Sequence, residues 1–458
     1  MKVQLIPAAF FAVLGLGLAA PVAAEETLAD AMVKAIRSSP ELATSRANVR
    51  VLGERAVQAR AGGRISASGT ISVSATFFDL EEFQYPTVLQ LDATQPLYTG
   101  GQVENSTEAA ETRITAEEAR QVATEQSILL ETVSAYLDVR RDQTLVSLGR
   151  NNVRVIREQL RAARERFDVG EVTRTDVAQA EARLAAARSL LVSRIGQLQT
   201  AKESYKRVVG NYPKDLTPPP PLPDLPESLD EAVAIGLRDD PNIRAARLER
   251  RAAGSDVRTA IGALLPQVSI VGQVRNRDTL QVPRDGLADA TLGLQISIPL
   301  YSGGENYSRI REAQALAEVR DAEITTAMRN AIQQVGTAWS DLDVAMATIR
   351  AGRLEVRAAK IAFEGVQEEA KVGARTTLDV LDAEQELLDA RGDLVSSRRD
   401  QYVAAYNLLF SVGSLTAKHL GLDLEGADSS AGYYASVKDR NFGYDDTDDT
   451  IWTLSSRP

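Results

Sequence analysis

Asp379 and Asp382 stand three residues apart, so on a helix they share one face. Two carboxylates so placed could act as an acid–base pair, hold a cation, or serve a helix terminus. Acid–base work needs supporting groups, and no aromatic or histidine cluster accompanies this pair. The 458-residue chain has no cysteine and one histidine, His419. Disulfides, thiolate nucleophiles and CxxC zinc sites are therefore excluded, and so, within one chain, are His-based triads and multi-His metal sites. The acidic run Asp445-Asp446-Thr447-Asp448-Asp449 lacks the glycine and the terminal glutamate spacing of an EF-hand. These residues point to no enzyme, no cofactor and no metal site. A formal net charge of −11 argues against nucleic acid as a partner, because phosphate binding needs a basic surface.

The two aspartates sit in a motif that occurs twice. Thr376 precedes Asp379 by three residues, as Thr173 precedes Asp176, and both spacings fit a capping box. Asp382 lies past the usual capping positions. Around these motifs the whole chain repeats. Thr27-Leu28-Ala29-Asp30-Ala31 with Pro40 returns as Ser228-Leu229-Asp230-Glu231-Ala232 with Pro241. Pro96-Leu97-Tyr98-Thr99-Gly100-Gly101 returns as Pro299-Leu300-Tyr301-Ser302-Gly303-Gly304. Val169-Gly170 and Asp176-Val177 return as Val372-Gly373 and Asp379-Val380, and Val209-Gly210 as Val412-Gly413. The offset is 201 at the first pair and 203 at the later ones.

These pairs divide the chain into a repeat at 25–210, a proline-rich connector at 211–227, a second repeat at 228–413 and an acidic tail at 414–458. The connector favours an extended, semi-rigid chain. The tail is expected at the equator of the molecule, outside the helices, or disordered. Residues 1–24 read as a secretory signal: Lys2, an uncharged apolar stretch from Leu5 to Ala20, and the small residues Val22-Ala23-Ala24 before a cut.

Each repeat carries the same elements: a helical stretch (28–62 and 229–262), two alternating stretches, a very long helical stretch, a glycine-containing break and another helix. From Ile65 to Phe77 apolar residues or glycine fill the odd positions and Ser or Thr the even ones, a strand with one greasy and one hydroxylated face. Leu89 to Leu97, Val268 to Val274 and Leu292 to Ile298 alternate likewise. Each is about the length a tilted strand needs to cross a bilayer. Four strands cannot close a membrane barrel, and open edges cannot sit in lipid. If these strands enter a membrane, several chains must share one barrel. The long stretches, 104–167 and 305–371, contain no proline and would reach roughly 95–100 Å as helices. They read as coiled-coil-like. Periodicity alone leaves open a plain coiled coil without a lumen.

The signal, the duplicated strand–strand–long helix–break–helix plan and the two motif pairs together resemble the TolC-like outer-membrane efflux ducts of Gram-negative bacteria. The likeness runs from about Thr27 to Gly413. It implies an α+β, mostly α chain that forms a homotrimer: a 12-stranded β-barrel in outer-membrane lipid, continuous with a 12-helix α-barrel across the periplasm. It implies a passive exit duct of a tripartite efflux or type I secretion system. Its partners would be a periplasmic adaptor of the membrane fusion class and an inner-membrane pump of the RND, ABC or MFS type.

The same resemblance places Asp379 and Asp382 in a pore constriction ring, three carboxylates at each level. Arg375 takes the position of the gate arginine, to pair with Asp176 and Thr175 of the same or a neighbouring chain. Gly170 and Gly373 become tip turns, and Gly100, Gly101, Gly303 and Gly304 strand-to-helix turns. Ala370 stands where the family often has a gate tyrosine, so the aromatic part of the latch is missing or replaced. A different class stays as the alternative: an exported coiled-coil scaffold or adhesin stalk without a pore.

Overall fold

A computed structural model of the chain describes residues 25–79, 82–279, 287–424 and 432–439. The expected signal, most of the acidic tail and the 445–449 run lie outside the described residues. In chain order the first elements are α1 (Leu28–Ser38), α2 (Pro40–Ala61), β1 (Ser66–Val73), β2 (Thr76–Asp79), β3 (Glu82–Gln84), β4 (Pro86–Tyr98), α3 (Gln102–Asp168) and α4 (Arg174–Val209). Then come α5 (Leu229–Asp239), α6 (Pro241–Gly262), β5 (Gln267–Thr279), β6 (Leu287–Ser297), α7 (Glu305–Lys371), α8 (Thr377–Ser411) and α9 (Tyr433–Val437). Helix, helix, strands, long helix, helix thus occurs twice.

The single helical stretches expected at 28–62 and 229–262 are each broken in two. Proline lacks the N–H a continuing helix needs, and it disfavours helical geometry at the residue before it. Ser39 accordingly takes ψ 120 and its hydroxyl accepts the Leu42 N–H. Asp240 takes ψ 121 and accepts the N–H groups of Asn242 and Ile243. Each break is therefore capped, with proline at the first helical position.

The four-stranded sheet runs β1-β4-β5-β6, every pair antiparallel. Its register fixes two faces. Ser66, Ser68, Thr70 and Ser72 pair with Thr94, Asp92, Gln90 and Val88, and these with Val271, Gln273, Arg275 and Arg277. The opposite face carries Ile71, Leu89, Leu91, Val274, Leu292 and Leu294, all exposed, Leu292 at 80%. The first strand is shorter than expected: Phe77 belongs to β2, which forms a separate hairpin with β3.

Helices α3 and α7 are each 67 residues long, about 100 Å. So long an element cannot fold around one centre, and buried side chains gather in a string of clusters. The largest joins α1, α3, α4 and α8 through Met32, Ile36, Leu129, Val133, Tyr205 and Leu409. The Tyr136 hydroxyl, fully buried there, donates to the carbonyls of Thr217 at 2.7 Å and Glu26 at 3.0 Å. That ties the connector between the halves to the middle of α3. Alanine supplies much of the burial along the helices, which lets their backbones approach closely. Among the described residues, no helix is long and apolar enough to cross a membrane.

After α8 the described residues are 412–424 and 432–439. Leu415, Ala417, Leu420, Leu422 and Leu424 pack on the central cluster. Farther on, α9 lies against α2. Tyr433 donates to Glu54 and Tyr434 to Glu111, each at 2.7 Å. Gly53 leaves room for the Tyr433 ring, which would stand 3.1 Å from an added Cβ.

Candidate functional site

At the end farthest from the sheet the two helix pairs reverse direction through matching turns. Helix α3 ends before Val169 and Gly170, with Gly170 at φ +83, and α7 before Val372 and Gly373, with Gly373 at φ +79. A side chain would strain this left-handed geometry, so glycine suits both turns. Thr173 and Thr376 then cap α4 and α8. The Thr376 N–H and hydroxyl donate to Asp379 Oδ2 at 2.9 and 2.8 Å, and Thr376 Oγ1 accepts the Asp379 N–H at 3.2 Å. Asp176 does the same with Thr173, at 2.8, 2.8 and 3.3 Å. Both capping boxes read from the sequence are present. The backbone and hydroxyl donors hold the Asp379 and Asp176 carboxyls below the usual carboxylate range.

Arg375 lies in the second turn. Its Nε donates to Glu369 Oε2 at 2.8 Å, across the bend from the last turn of α7. This bond and its charge hold the guanidinium more firmly protonated. Within one chain Arg375 therefore meets Glu369, and its expected contacts with Asp176 and Thr175 are not made. Thr175 is exposed beside the capping box. Ala370, at the family's frequent tyrosine position, is buried.

Asp382 has a partner that sequence reading did not find. Arg183 of α4 donates to it through Nη2, joining the first helix pair to the second. Beside it Leu381, 2% exposed, enters a cluster with Val153, Ile156, Leu160, Ala180, Leu184 and Ala187. One turn further Glu384 is buried, and loss of hydration pushes its carboxyl up despite the opposing charge of Arg391. No local signal marks Arg183, because its partner lies 199 residues away.

At the other end Gly100 and Gly101 carry φ +65 and +76, and Gly303 and Gly304 φ +62 and +87, each pair leading from a strand into a long helix. Gly100 has a second constraint: an added Cβ would stand 2.4 Å from the Gly262 carbonyl oxygen. On the polar face of the sheet Asp92 accepts from Gln90 and Gln273 at 2.9 Å, and both glutamine oxygens accept from Arg275, at 3.2 and 3.3 Å. The molecule thus offers a polar, hydrogen-bonded face at one end and a charged, jointed tip at the other. Among the described residues no group of His, Cys, Asp and Glu is placed to hold a metal ion.

The family model for outer membrane efflux proteins matches residues 31–211 and again 236–414. The outer membrane efflux protein BepC of Brucella suis is 36% identical over 430 residues, 94% of each chain. The outer membrane protein TolC of Escherichia coli K12 is 24% identical over 311 residues, spanning 65% of this chain and 63% of TolC. The crystal structure of the Campylobacter jejuni CmeC outer membrane channel is similar in fold, with a TM-score of 0.76 at 14% identity. That likeness covers 96% of this chain and 98% of the CmeC chain.

Proposed function

The chain belongs to the outer membrane efflux protein family, and on that premise we propose that three copies share one duct, gated at the helical tip. As a member it is an outer membrane protein that extends into the periplasm, a channel component of efflux or secretion. The observation that carries the trimer is the sheet. Among the described residues it has four strands, an exposed apolar face and two unpaired edges, on β1 and β6. Unpaired edges are too costly in lipid, and four strands are too few to close. Three copies joined β6 to β1 give twelve strands, with leucines and isoleucines outward and the Asp92–Arg275 network lining the lumen. The two repeats, 25–210 and 228–413, each contribute two strands and two helices to the wall.

The tip is the gate in this reading. Asp379 and Asp382 of three copies form the constriction ring, and Arg375 reaches Asp176 and Thr175 of a neighbouring copy when it leaves Glu369. A periplasmic adaptor and an inner-membrane pump complete the system and choose the cargo. Purified protein in planar bilayers tests this: cation-preferring channels are expected, with block by multivalent cations that weakens in Asp379→Ala/Asp382→Ala. Protein that leaves membranes in salt washes and forms no channels would instead be the coiled-coil stalk.

A further inference from the structure

The Arg183–Asp382 pair joins α4 to α8 near the tip, next in sequence to Leu381, which enters the apolar cluster of the first helix pair. Leu381 is seated against Ala180 and Leu184, so one knob and one charge pair hold the first turns of α8 to the first helix pair. The duplicated sequence does not repeat the arrangement. At the offset of 203, Asp382 corresponds to Gln179 and Arg183 to Glu386. The cation therefore belongs to one repeat and the anion to the other. Meanwhile Oδ2 of Asp379 is occupied by the N–H and hydroxyl of Thr376. Both carboxylates of the expected ring already have donors within their own chain.

We propose that Arg183 sets the cation affinity of the constriction: with α8 seated on α4 it neutralises Asp382, and separation of the two helices frees one carboxylate per chain. This deepens the duct reading and rests on it. A hydrated multivalent cation and the guanidinium compete for the same oxygens. By linkage, a cation that binds Asp382 only when Arg183 has left favours helix separation by the factor through which separation tightens binding. The two side chains are 42% and 54% exposed, so water and salt screen the pair. Its coupling corresponds to about a two- to fivefold change in affinity.

The test uses the full-length protein in planar bilayers with hexaamminecobalt(III) as the blocking cation. Arg183→Gln is expected to tighten the block about two- to fivefold, and Arg183→Lys to stay near wild type. Asp382→Asn should weaken it, and Arg183→Gln/Asp382→Asn should be no tighter than Asp382→Asn alone. An unchanged or weaker block in Arg183→Gln overturns the proposal. The seating itself is read separately, because a chain without cysteine reports engineered thiols alone. Arg183→Cys/Asp382→Cys treated with a short bis-methanethiosulfonate should cross-link within one chain, as peptide mass spectrometry would show. Links only between chains, or none in folded protein, overturn it. If wild type forms no channel at all, the duct reading fails, and the cross-link alone decides the pairing.

Discussion

Leu381→Ala should loosen the tip far more than removing the ion pair beside it. Leu381 is 2% exposed and lies among Val153, Ile156, Leu160, Ala180, Leu184 and Ala187. Truncating a buried leucine costs about 2–5 kcal/mol, transfer and cavity terms together. Here two of the neighbours are alanines close to a solvent-facing helix end, where the wall can partly collapse, so the lower part of that range applies, about 2–3 kcal/mol. The half-exposed Arg183–Asp382 pair contributes about 0–1 kcal/mol. Apolar seating therefore dominates. A loss of 2–3 kcal/mol raises the population with α8 detached about 30- to 150-fold. Native-state hydrogen exchange measures it: amides at 380–388 should lose that much protection, while those at 405–409, buried at the equator, keep theirs. Unchanged protection at 380–388, or an equal loss at the equator, would refute the reasoning.

Three further outcomes follow from the same geometry. Gly100→Ala should lower the thermal unfolding midpoint more than Gly303→Ala. Both residues have positive φ, but only Gly100 would drive a Cβ into the Gly262 carbonyl. Tyr136→Phe removes the hydroxyl donor from the Thr217 carbonyl, while the Glu26 carbonyl keeps the Thr217 N–H, and should cost about 1–3 kcal/mol of unfolding free energy in a denaturant titration, with the connector exchanging fastest. Acidification separates two groups of carboxyls by sign. Asp176 and Asp379 are held below the ordinary 3.8, so their caps are complete above that value and are lost only as pH falls through the lower folded one. Glu384 is pushed above the ordinary 4.5 by burial, so its stabilisation is present at lower pH and lost as pH rises through its folded value. Tip protection should thus increase as pH falls toward 4.5 from above, and Glu384→Gln should abolish that increase.

How much of this was legible depended on the range of each interaction. The long helices could be read almost to the residue, because an uninterrupted run between two glycine turns is a local signal. The capping boxes at Thr173 and Thr376 were equally local. The breaks at Pro40 and Pro241 were visible as residues, yet the stretches around them were read as continuous. Only the structure shows Ser39 and Asp240 as the caps that end one helix and begin the next. Alternation gave the strands, but the end of β1 is set by pairing with Thr87, which no single strand reveals. Arg183 was illegible for the same reason at greater distance: its role exists only once α4 and α8 lie side by side. Arg375 was legible as a motif position, while its bond to Glu369 follows from how Gly373 turns the chain.

A duct of this kind requires that several copies share one barrel. Electron microscopy of detergent-extracted protein tests this. It predicts threefold-symmetric particles, tapered cylinders about 140 Å long with a central lumen, from roughly 100 Å of helix and roughly 40 Å of strand. Slender rods without a lumen, or a symmetry that leaves β1 and β6 unpaired, would contradict it.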